Sequence, residues 1–251
     1  MINMDNKRIL VSGSSQGLGL KIVETFSKYN SSGFGFDLKE NAKDLRGWEF
    51  LQIDVSNEKD IINGFEKIKE SIGGLDVVVA NAGIVPPWRT INDIENDEWE
   101  KVFNINVKGV ALTIKHSVEL MKSSGGSIII MGSINSLLGH SGQTLYTASK
   151  HALLGIVKCA AIDLGKYNIR VNAIGPGPIA TEALLKRLKS REDNGGMSAS
   201  SALEGFANNT ALGKMPTEED VANTVLYLSS NLSSSITGQI MPVCSGLIRL
   251  E

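Results

Sequence analysis

The chain has 251 residues, of which 42% are hydrophobic and 21% are charged, and its formal net charge is −2 at pH 7. This composition is that of a soluble globular protein, and the scattered lysines and arginines predict neither a nucleic-acid partner nor a membrane partner. The two cysteines are far apart and the first residues lack an apolar signal core, which suits a cytoplasmic protein. The three histidines have no metal-ligand spacing, so we expect no bound metal.

Short apolar runs alternate with helical periodicity along almost the whole chain. The predicted strands are 8–13, 33–37, 48–54, 75–81, 127–133, 169–175 and 239–244. The predicted helices are 17–29, 57–72, 98–122, 145–166 and 217–229. Several strands are apolar at nearly every position, which is typical of parallel strands covered on both faces. The pattern therefore predicts an α/β fold with a doubly wound, seven-stranded parallel sheet flanked by helices.

The stretch 182–215 interrupts this alternation. It is rich in Ser, Asn, Gly and Lys and is too long for a plain connection. Long insertions in compact domains are usually lids or binding loops, so we expect a flexible excursion near the substrate. Since no linker or repeat divides the rest of the chain, we expect one domain over 1–251.

The sequence "SGSSQGLG" joins the first predicted strand to the first predicted helix. Glycines at this junction allow a tight turn and close backbone approach to a pyrophosphate, which also meets N–H groups at the helix N-terminus. Glycine-containing turns are common, so the position between strand and helix carries the inference. The predicted cofactor contacts in this loop are Gly13, Ser15, Gln16, Gly17, Leu18 and Gly19.

Asp37 ends the second predicted strand, 18 residues after Gly19. A carboxylate there can accept hydrogen bonds from the adenosine ribose hydroxyls and would repel a 2′-phosphate. A solvated aspartate at a strand end is equally common, but the glycine loop favours cofactor binding. Gln16 is neutral, whereas Lys39 is a weak signal for the phosphate. Together these residues predict NAD as the cofactor.

Seven short motifs together resemble the short-chain dehydrogenase/reductase family over essentially the whole chain. They are "SGSSQGLG", "DV" at 54–55, "NAG" at 81–83, "NINVKG" at 104–109, "GSI" around Ser133, "YTASK" at 146–150 and "GPGPIAT" at 175–181. The resemblance implies a Rossmann-type fold, an NAD(P)-binding domain and a catalytic tetrad of Asn106, Ser133, Tyr146 and Lys150. It further implies adenine contacts from Asp54 and Val55, a contact of Asn81 near the central ribose, and a carboxamide clamp of Ile179 and Thr181. Relatives often form tetramers, so we expect a homotetramer or a homodimer.

Tyr146 and Lys150 are four residues apart, so on a helix they lie on one face. A snorkelling lysine above a half-buried tyrosine would look the same, and the other motifs decide against that explanation. A phenol has a pKa near 10, and acid–base catalysis at neutral pH requires a pKa roughly 3 units lower. We expect the Lys150 ammonium to lower the Tyr146 pKa and, with Tyr146, to hold the nicotinamide ribose. The resemblance gives Asn106 a water that relays the proton onward from Lys150.

Substrate contacts are less well defined by the sequence. Ser133 can donate a hydrogen bond to the substrate oxygen. His140 and Gln143 lie between Ser133 and Tyr146 and are candidate substrate contacts. Trp88 and Arg89 are candidates to cover or clamp the substrate, including an acidic one, although an exposed pair of loop residues explains them equally well.

The leading hypothesis is an oxidoreductase that transfers a hydride between NAD(H) and a small secondary alcohol or ketone, with Tyr146 as general acid and base. An NADPH-dependent 3-oxoacyl-thioester reductase is an alternative, against which Asp37 and Gln16 argue. A nucleotide-sensing protein without catalysis is another, but such proteins typically lose the tyrosine or the lysine, and this chain keeps both.

Overall fold

The computed structural model describes residues 2–39 and 44–247, so the ends of the predicted domain and residues 40–43 lie outside it. The strands are β1 (Arg8–Ser12), β2 (Ser32–Asp37), β3 (Trp48–Gln52), β4 (Val77–Ala80), β5 (Gly126–Met131), β6 (Ile169–Pro176) and β7 (Ile240–Val243). The helices are α1 (Gly17–Lys28), α2 (Glu58–Ile72), α3 (Asn96–Phe103), α4 (Val110–Met121), α5 (Thr144–Gly165), α6 (Glu182–Asp193), α7 (Ala199–Asn208) and α8 (Glu218–Ser229). A π-helical segment, Asn104–Gly109, joins α3 to α4.

The seven strands form one parallel sheet in the order β3-β2-β1-β4-β5-β6-β7, which confirms the predicted Rossmann-type architecture. Each predicted strand overlaps an observed one. The chain leaves β1 toward one edge of the sheet and leaves β4 toward the other edge. Loops after these two strands therefore diverge and open a crevice at the carboxyl ends of the strands, which is where ligands bind in such folds.

The two faces of the sheet bury separate apolar layers. Ile9 and Val11 pack against α1 and α8, whereas Leu10 faces α2, α4 and α5. Each of these three side chains is 0% exposed. A strand that is covered on both sides needs an apolar residue at every position, and this explains the continuous runs in the sequence.

The predicted helical stretch 98–122 corresponds to a continuous helical segment over 96–121, but its middle is not α-helical. The chain forms α3, then the π-helical segment, then α4. Apolar periodicity cannot reveal such a change, because one extra residue in a turn leaves both flanking helices amphipathic. The other four predicted helices correspond to α1, α2, α5 and α8.

The predicted flexible excursion contains two helices, α6 and α7. Thr181 caps α6 by accepting a hydrogen bond from the Leu184 N–H at 3.2 Å, and Ser198 caps α7 in the same way from Ser201 at 3.2 Å. Each helix fully buries only one residue, so its apolar face is too narrow to show in the sequence. Within residues 2–39 and 44–247, no helix has the length and apolar character needed to cross a membrane.

Candidate active site

The loop after β1 forms a cradle at the N-terminus of α1. Gly13 and Gly17 have φ angles of +67° and +52°, which glycine adopts without strain. A Cβ atom on Gly19 would lie 1.8 Å from the carbonyl oxygen of Gly13, so no side chain fits there. Helix α1 has no side-chain hydrogen-bond cap and no acidic residue in its first turn. The first N–H groups of α1 are therefore suited to an anion such as a pyrophosphate.

Asp37 lies beside this cradle. Its Oδ2 accepts a hydrogen bond from the Ser15 N–H at 2.9 Å, and its Oδ1 accepts one from the Lys39 N–H at 3.0 Å. A carboxylate oxygen can accept more than one hydrogen bond, so both oxygens retain capacity for ribose hydroxyls. The Lys39 ammonium lies 3.3 Å from the Gln16 Oε1, which places a cation at the edge of the same loop.

Asn81 links the crevice walls, because its side-chain amide donates to the carbonyl oxygens of Ser12 and Gly13, each at 3.0 Å. This residue of the predicted ribose region thus closes the glycine loop onto the end of β4. Asp54 accepts hydrogen bonds from the N–H and hydroxyl of Ser56 at 2.8 and 2.7 Å. Val55 is buried next to the π-helical segment.

Next to the glycine cradle, a cleft lies between the start of α1 and the start of α6. Its lining residues are Gly17, Leu20, Lys21, Glu24, Ala180, Thr181, Glu182 and Glu218. Thr181, predicted to clamp the carboxamide, therefore faces the glycine loop, and its hydroxyl also caps α6. Ile179 is buried next to it. The fold brings these distant segments of the predicted cofactor site to one place.

Helix α5 places Tyr146 and Lys150 together, as their spacing predicts. The Lys150 Nζ lies 5.7 Å from the centroid of the Tyr146 ring. Lys150 is only 5% exposed, and its ammonium donates a hydrogen bond of 2.7 Å to the carbonyl oxygen of Met131, at the end of β5. Ser133 is near enough to the phenol to lower its pKa. Three of the four predicted catalytic residues thus meet at the carboxyl edge of the sheet.

Burial dominates the electrostatics of this group. Burial raises the pKa of Tyr146, and the nearby Ser133 side chain and the charge of Arg187 oppose that rise. Burial also lowers the pKa of Lys150 to about 8. The lowering of the Tyr146 pKa by Lys150 therefore stays a prediction for the cofactor-bound enzyme, since burial dominates in the ligand-free protein. Burial in surroundings of low dielectric disfavours the charged form of each group, which is the phenolate for Tyr146 and the ammonium for Lys150.

The sequence did not indicate a role for Asn135, which organises the loop that carries Ser133. Its backbone N–H donates to the Ser133 Oγ at 3.2 Å. Its side-chain amide donates to the Gln143 Oε1 at 3.0 Å and to the Thr147 Oγ1 at 2.9 Å. Ser133 is thereby fixed relative to the first turn of α5. The only available signal was the position of Asn135, two residues after Ser133.

Asn106 lies in the π-helical segment and is 0% exposed. Its Oδ1 accepts from the Ile84 N–H at 2.8 Å, while its Nδ2 donates to the Ile84 carbonyl at 2.9 Å and to the Ser149 Oγ at 3.2 Å. The side chain thus fastens the loop after β4 to the segment and to α5. Since both amide hydrogens have partners, a proton relay through this residue would have to use its backbone. π-Helical turns occur frequently at functional sites.

A cleft opens beside Tyr146. Its lining residues are Val85, Pro86, Pro87, Arg89, Ile94, Glu98, Gly142, Gln143, Leu145 and Tyr146. Gln143 therefore lies where a substrate contact was predicted, with its Oε1 held by Asn135. His140 is exposed and is not among these lining residues, so its predicted substrate contact has no support here.

The charges around the cleft bear on Trp88 and Arg89, for which the sequence left a substrate clamp and an exposed loop pair equally open. Arg89 forms salt bridges with Glu95 at 2.9 Å and Glu98 at 3.1 Å, so its charge is already balanced. Trp88 is covered by the guanidinium of Arg187, whose Cζ lies 4.2 Å from the ring centroid. Arg187 belongs to α6, which the sequence did not predict as a helix, and so sequence reasoning missed it.

The chain has extensive relatives among known proteins. A sequence profile of the family described as enoyl-(acyl carrier protein) reductase matches residues 13–248. The chain is 35% identical over 252 residues to (+)-borneol dehydrogenase 2 of Salvia officinalis, covering 94% of this chain and 87% of that protein. It is 32% identical over 256 residues to short-chain dehydrogenase reductase 3a of Arabidopsis thaliana, covering 98% of this chain and 96% of that protein.

The fold has equally extensive matches. The crystal structure of NAD+-bound xylitol dehydrogenase has a TM-score of 0.91 and 22% identity, over 96% of this chain and 99% of that one, which shows a likeness of fold. The matches to the two plant proteins span nearly the whole chain. This chain is a member of the short-chain dehydrogenase/reductase family of oxidoreductases.

Proposed function

We propose that the protein is an NAD-dependent alcohol dehydrogenase or carbonyl reductase that acts on a small secondary alcohol or ketone. The observation that carries the proposal is the proximity of the Tyr146 ring to the buried ammonium of Lys150, 5.7 Å away, with Ser133 near enough to act on the phenol. Tyr146 lines a cleft at the same edge of the sheet as the glycine cradle. Relatives named (+)-borneol dehydrogenase 2 and xanthoxin dehydrogenase support this class of reaction.

The cradle fits a dinucleotide, because a side chain at Gly19 would fill it and the first turn of α1 has no capping side chain. The pyrophosphate would meet the N–H groups of α1, the adenosine ribose would meet Asp37, and the nicotinamide end would lie near Thr181 and Lys150. A bound nicotinamide cofactor supplies the hydride acceptor or donor. Solved structures of this fold contain NAD+ or NADPH, so the choice of NAD depends on Asp37.

The residues of this chain move the proton. Since burial raises the pKa of Tyr146, the phenol is neutral at pH 7 and can give its proton to a carbonyl oxygen during reduction. Ser133 orients the same oxygen. In the oxidative direction Tyr146 must accept the proton as a phenolate, and the fraction of phenolate grows as the pH rises. We therefore expect reduction to be favoured at neutral pH and oxidation at alkaline pH.

The proposal includes one domain that assembles as a homotetramer, or a homodimer, in the cytoplasm. The family resemblance supports the assembly, and the unpaired Cys159 and Cys244 are compatible with a reducing compartment. Light scattering of the purified protein measures the assembly directly.

The cofactor preference leads to a prediction for Asp37→Ser. Charged hydrogen bonds contribute about 1.5–3 kcal/mol, so their loss should weaken NAD binding by roughly ten- to a hundredfold. Lys39 at the edge of the loop would then be able to bind a 2′-phosphate. We expect kcat/KM to fall for NAD and the ratio of kcat/KM for NADP to that for NAD to rise. If wild type already prefers NADP, or the ratio stays constant, Asp37 does not select the cofactor.

The cradle leads to a prediction for Gly19→Ala. The new methyl group would collide with the carbonyl of Gly13, so we expect a loss of about 1–3 kcal/mol in the free energy of unfolding and a large rise in the NAD dissociation constant. Gly155→Ala is the matched control, because a Cβ there meets no atom within 4 Å and the position is helical. The control should bind NAD normally and gain up to about 1 kcal/mol. If the two variants had equal NAD dissociation constants and equal free energies of unfolding, the glycine loop would not be the NAD site.

Turnover itself is tested by following absorbance at 340 nm with NAD+ and with NADP+ against a panel of alcohols, polyols and hydroxy acids. We expect at least one secondary alcohol to give a rate with NAD+ that exceeds its rate with NADP+. A protein that binds NAD and yet oxidises none of the panel, and reduces none of the matching ketones, would instead be a nucleotide-binding protein without this activity.

A further inference from the structure

We propose that the substrate carries a carboxylate and that Arg187, with Arg191 beside it, binds this group at the rim of the Tyr146 cleft. The inference rests on the proposed function and specifies its substrate class. The substrate would thus be a hydroxy acid or oxo acid, whose carbinol or carbonyl reaches Tyr146 while its carboxylate meets α6.

The pairing of charges along α6 is the first argument. Lys186 pairs with Glu182 at 2.7 Å, and Lys189 pairs with Glu192 and Asp193, each at 3.3 Å. The lysines of this helix are therefore paired with its acidic residues. In the described part of the chain, neither Arg187 nor Arg191 forms a salt bridge with any carboxylate.

The second argument is the direction in which the two arginines extend. Their spacing of four residues puts them on one face of α6. The Cζ of Arg187 lies 4.2 Å from the centroid of the Trp88 ring, and that of Arg191 lies 5.6 Å from it. Like charges at this spacing repel each other on a helix, and the ring offsets only part of that cost. An anion placed between them would remove the repulsion.

The third argument is the proximity of Arg187 to the reacting phenol. Its Nη2 donates a long hydrogen bond of 3.5 Å to the carbonyl oxygen of Pro86, and Pro86 lines the same cleft as Tyr146. The charge of Arg187 also acts on the Tyr146 phenol. A half-buried guanidinium with one weak neutral partner has donors left, and a carboxylate can accept two of them in parallel.

The other charges of the cleft leave this role to Arg187. Glu98 lines the cleft, but the Arg89 guanidinium holds it at 3.1 Å, and Arg89 is also paired with Glu95. An incoming carboxylate therefore meets a neutralised pair in the lining of the cleft and arginines without a carboxylate partner at its rim. Arginine is suited to this task because it stays charged when partly buried.

The test compares Arg187→Met with Lys186→Met on pairs of probes that differ only in charge. The probes are lactate, 3-hydroxybutanoate and 4-hydroxypentanoate, each beside its own amide. Turnover is followed at 340 nm with NAD+, and binding is followed by the quenching of tryptophan fluorescence. Methionine keeps an unbranched apolar stem over Trp88, and Lys186 is the adjacent cation that already has a partner.

We expect wild type to prefer at least one acid to its amide. Arg187→Met should raise KM and the dissociation constant of that acid about ten- to a hundredfold and leave KM and the dissociation constant of its amide unchanged, whereas a change in kcat through the charge near Tyr146 would be shared by acid and amide. Lys186→Met should match wild type. A loss of activity from a misplaced α6 would instead affect acid and amide alike, and that result would overturn the proposal.

The outcomes separate this inference from the proposed function. Turnover of neutral alcohols with no preference for the acids would overturn the carboxylate site and leave the oxidoreductase intact. Binding of an acid that depends on Arg187, without any turnover, would support the site and overturn the oxidoreductase. Neither binding nor turnover of any probe would overturn the carboxylate site.

Discussion

Tyr146→Phe should abolish turnover while NAD binding stays nearly unchanged. The substitution removes only the phenol oxygen that exchanges a proton with the substrate and keeps the ring beside Lys150. General acid–base groups contribute about 10²–10⁴ in rate, so kcat should fall by at least that range. The measurement is kcat at 340 nm together with the NAD dissociation constant from fluorescence titration.

Tyr167→Phe is the matched control, because it removes the same hydroxyl just beyond the far end of α5. It should have the kcat of wild type. If Tyr146→Phe kept a substantial share of the activity, another group would move the proton and the assignment of Tyr146 would be wrong.

Lys150→Met should reduce both NAD affinity and kcat and yet make the protein more stable at pH 7. The ammonium is 5% exposed, and burial lowers its pKa from 10.5 to about 8. A shift of this size corresponds to about 3 kcal/mol, from which the lost hydrogen bond to Met131 subtracts about 1 kcal/mol. We therefore expect the free energy of unfolding of Lys150→Met to be roughly 2 kcal/mol larger than that of wild type at pH 7.

The pKa of Lys150 also predicts how the difference in stability between the variant and wild type changes with pH. Below pH 8 both the folded and the unfolded wild type hold the proton, so the folded protein carries the full cost of a buried ammonium. Between pH 8 and 10.5 only the unfolded chain holds it, and wild type gains stability relative to the variant. The advantage of the variant should therefore shrink as the pH rises, in urea titrations at a series of pH values. A variant that is inactive and also less stable at every pH would contradict the effect of burial on Lys150.

The sheet could be predicted from the sequence, because strands that are buried on both faces appear as continuous apolar runs. Each strand of this sheet needs apolar residues at successive positions, as Ile9, Leu10 and Val11 show. The glycine loop after β1 and the pair at the start of α5 were equally predictable, since the need for glycine at position 19 and the spacing of Tyr146 and Lys150 depend on local geometry.

Features that depend on tertiary contacts could not be predicted. The π-helical segment around Asn106 is fixed by hydrogen bonds to Ile84, which lies 22 residues away in the sequence. The direction in which the pKa of Tyr146 shifts depends on how deeply the phenol is buried, and the spacing of residues along the sequence does not reveal burial. The same limitation explains why Arg89 was considered as a clamp for an acidic substrate, although Glu95 and Glu98 neutralise it.

The role of α6 was missed for a related reason. Leu188 is its one fully buried residue, so the helix has almost no apolar pattern, and its charged residues resemble those of a solvated loop. Only the fold shows that Arg187 reaches Trp88 and the cleft of Tyr146.

The central claim is that a hydride passes between the substrate carbinol and NAD, and an isotope label tests it most directly. A secondary alcohol that the 340 nm assay identifies is prepared with deuterium on its carbinol carbon and incubated with NAD+ and the wild-type protein. Proton NMR of the recovered cofactor should show one deuterium at the nicotinamide C4 position for each ketone formed, and Tyr146→Phe should show none. Deuterium that appears in water, or ketone that forms without label on the cofactor, would contradict direct hydride transfer by this protein.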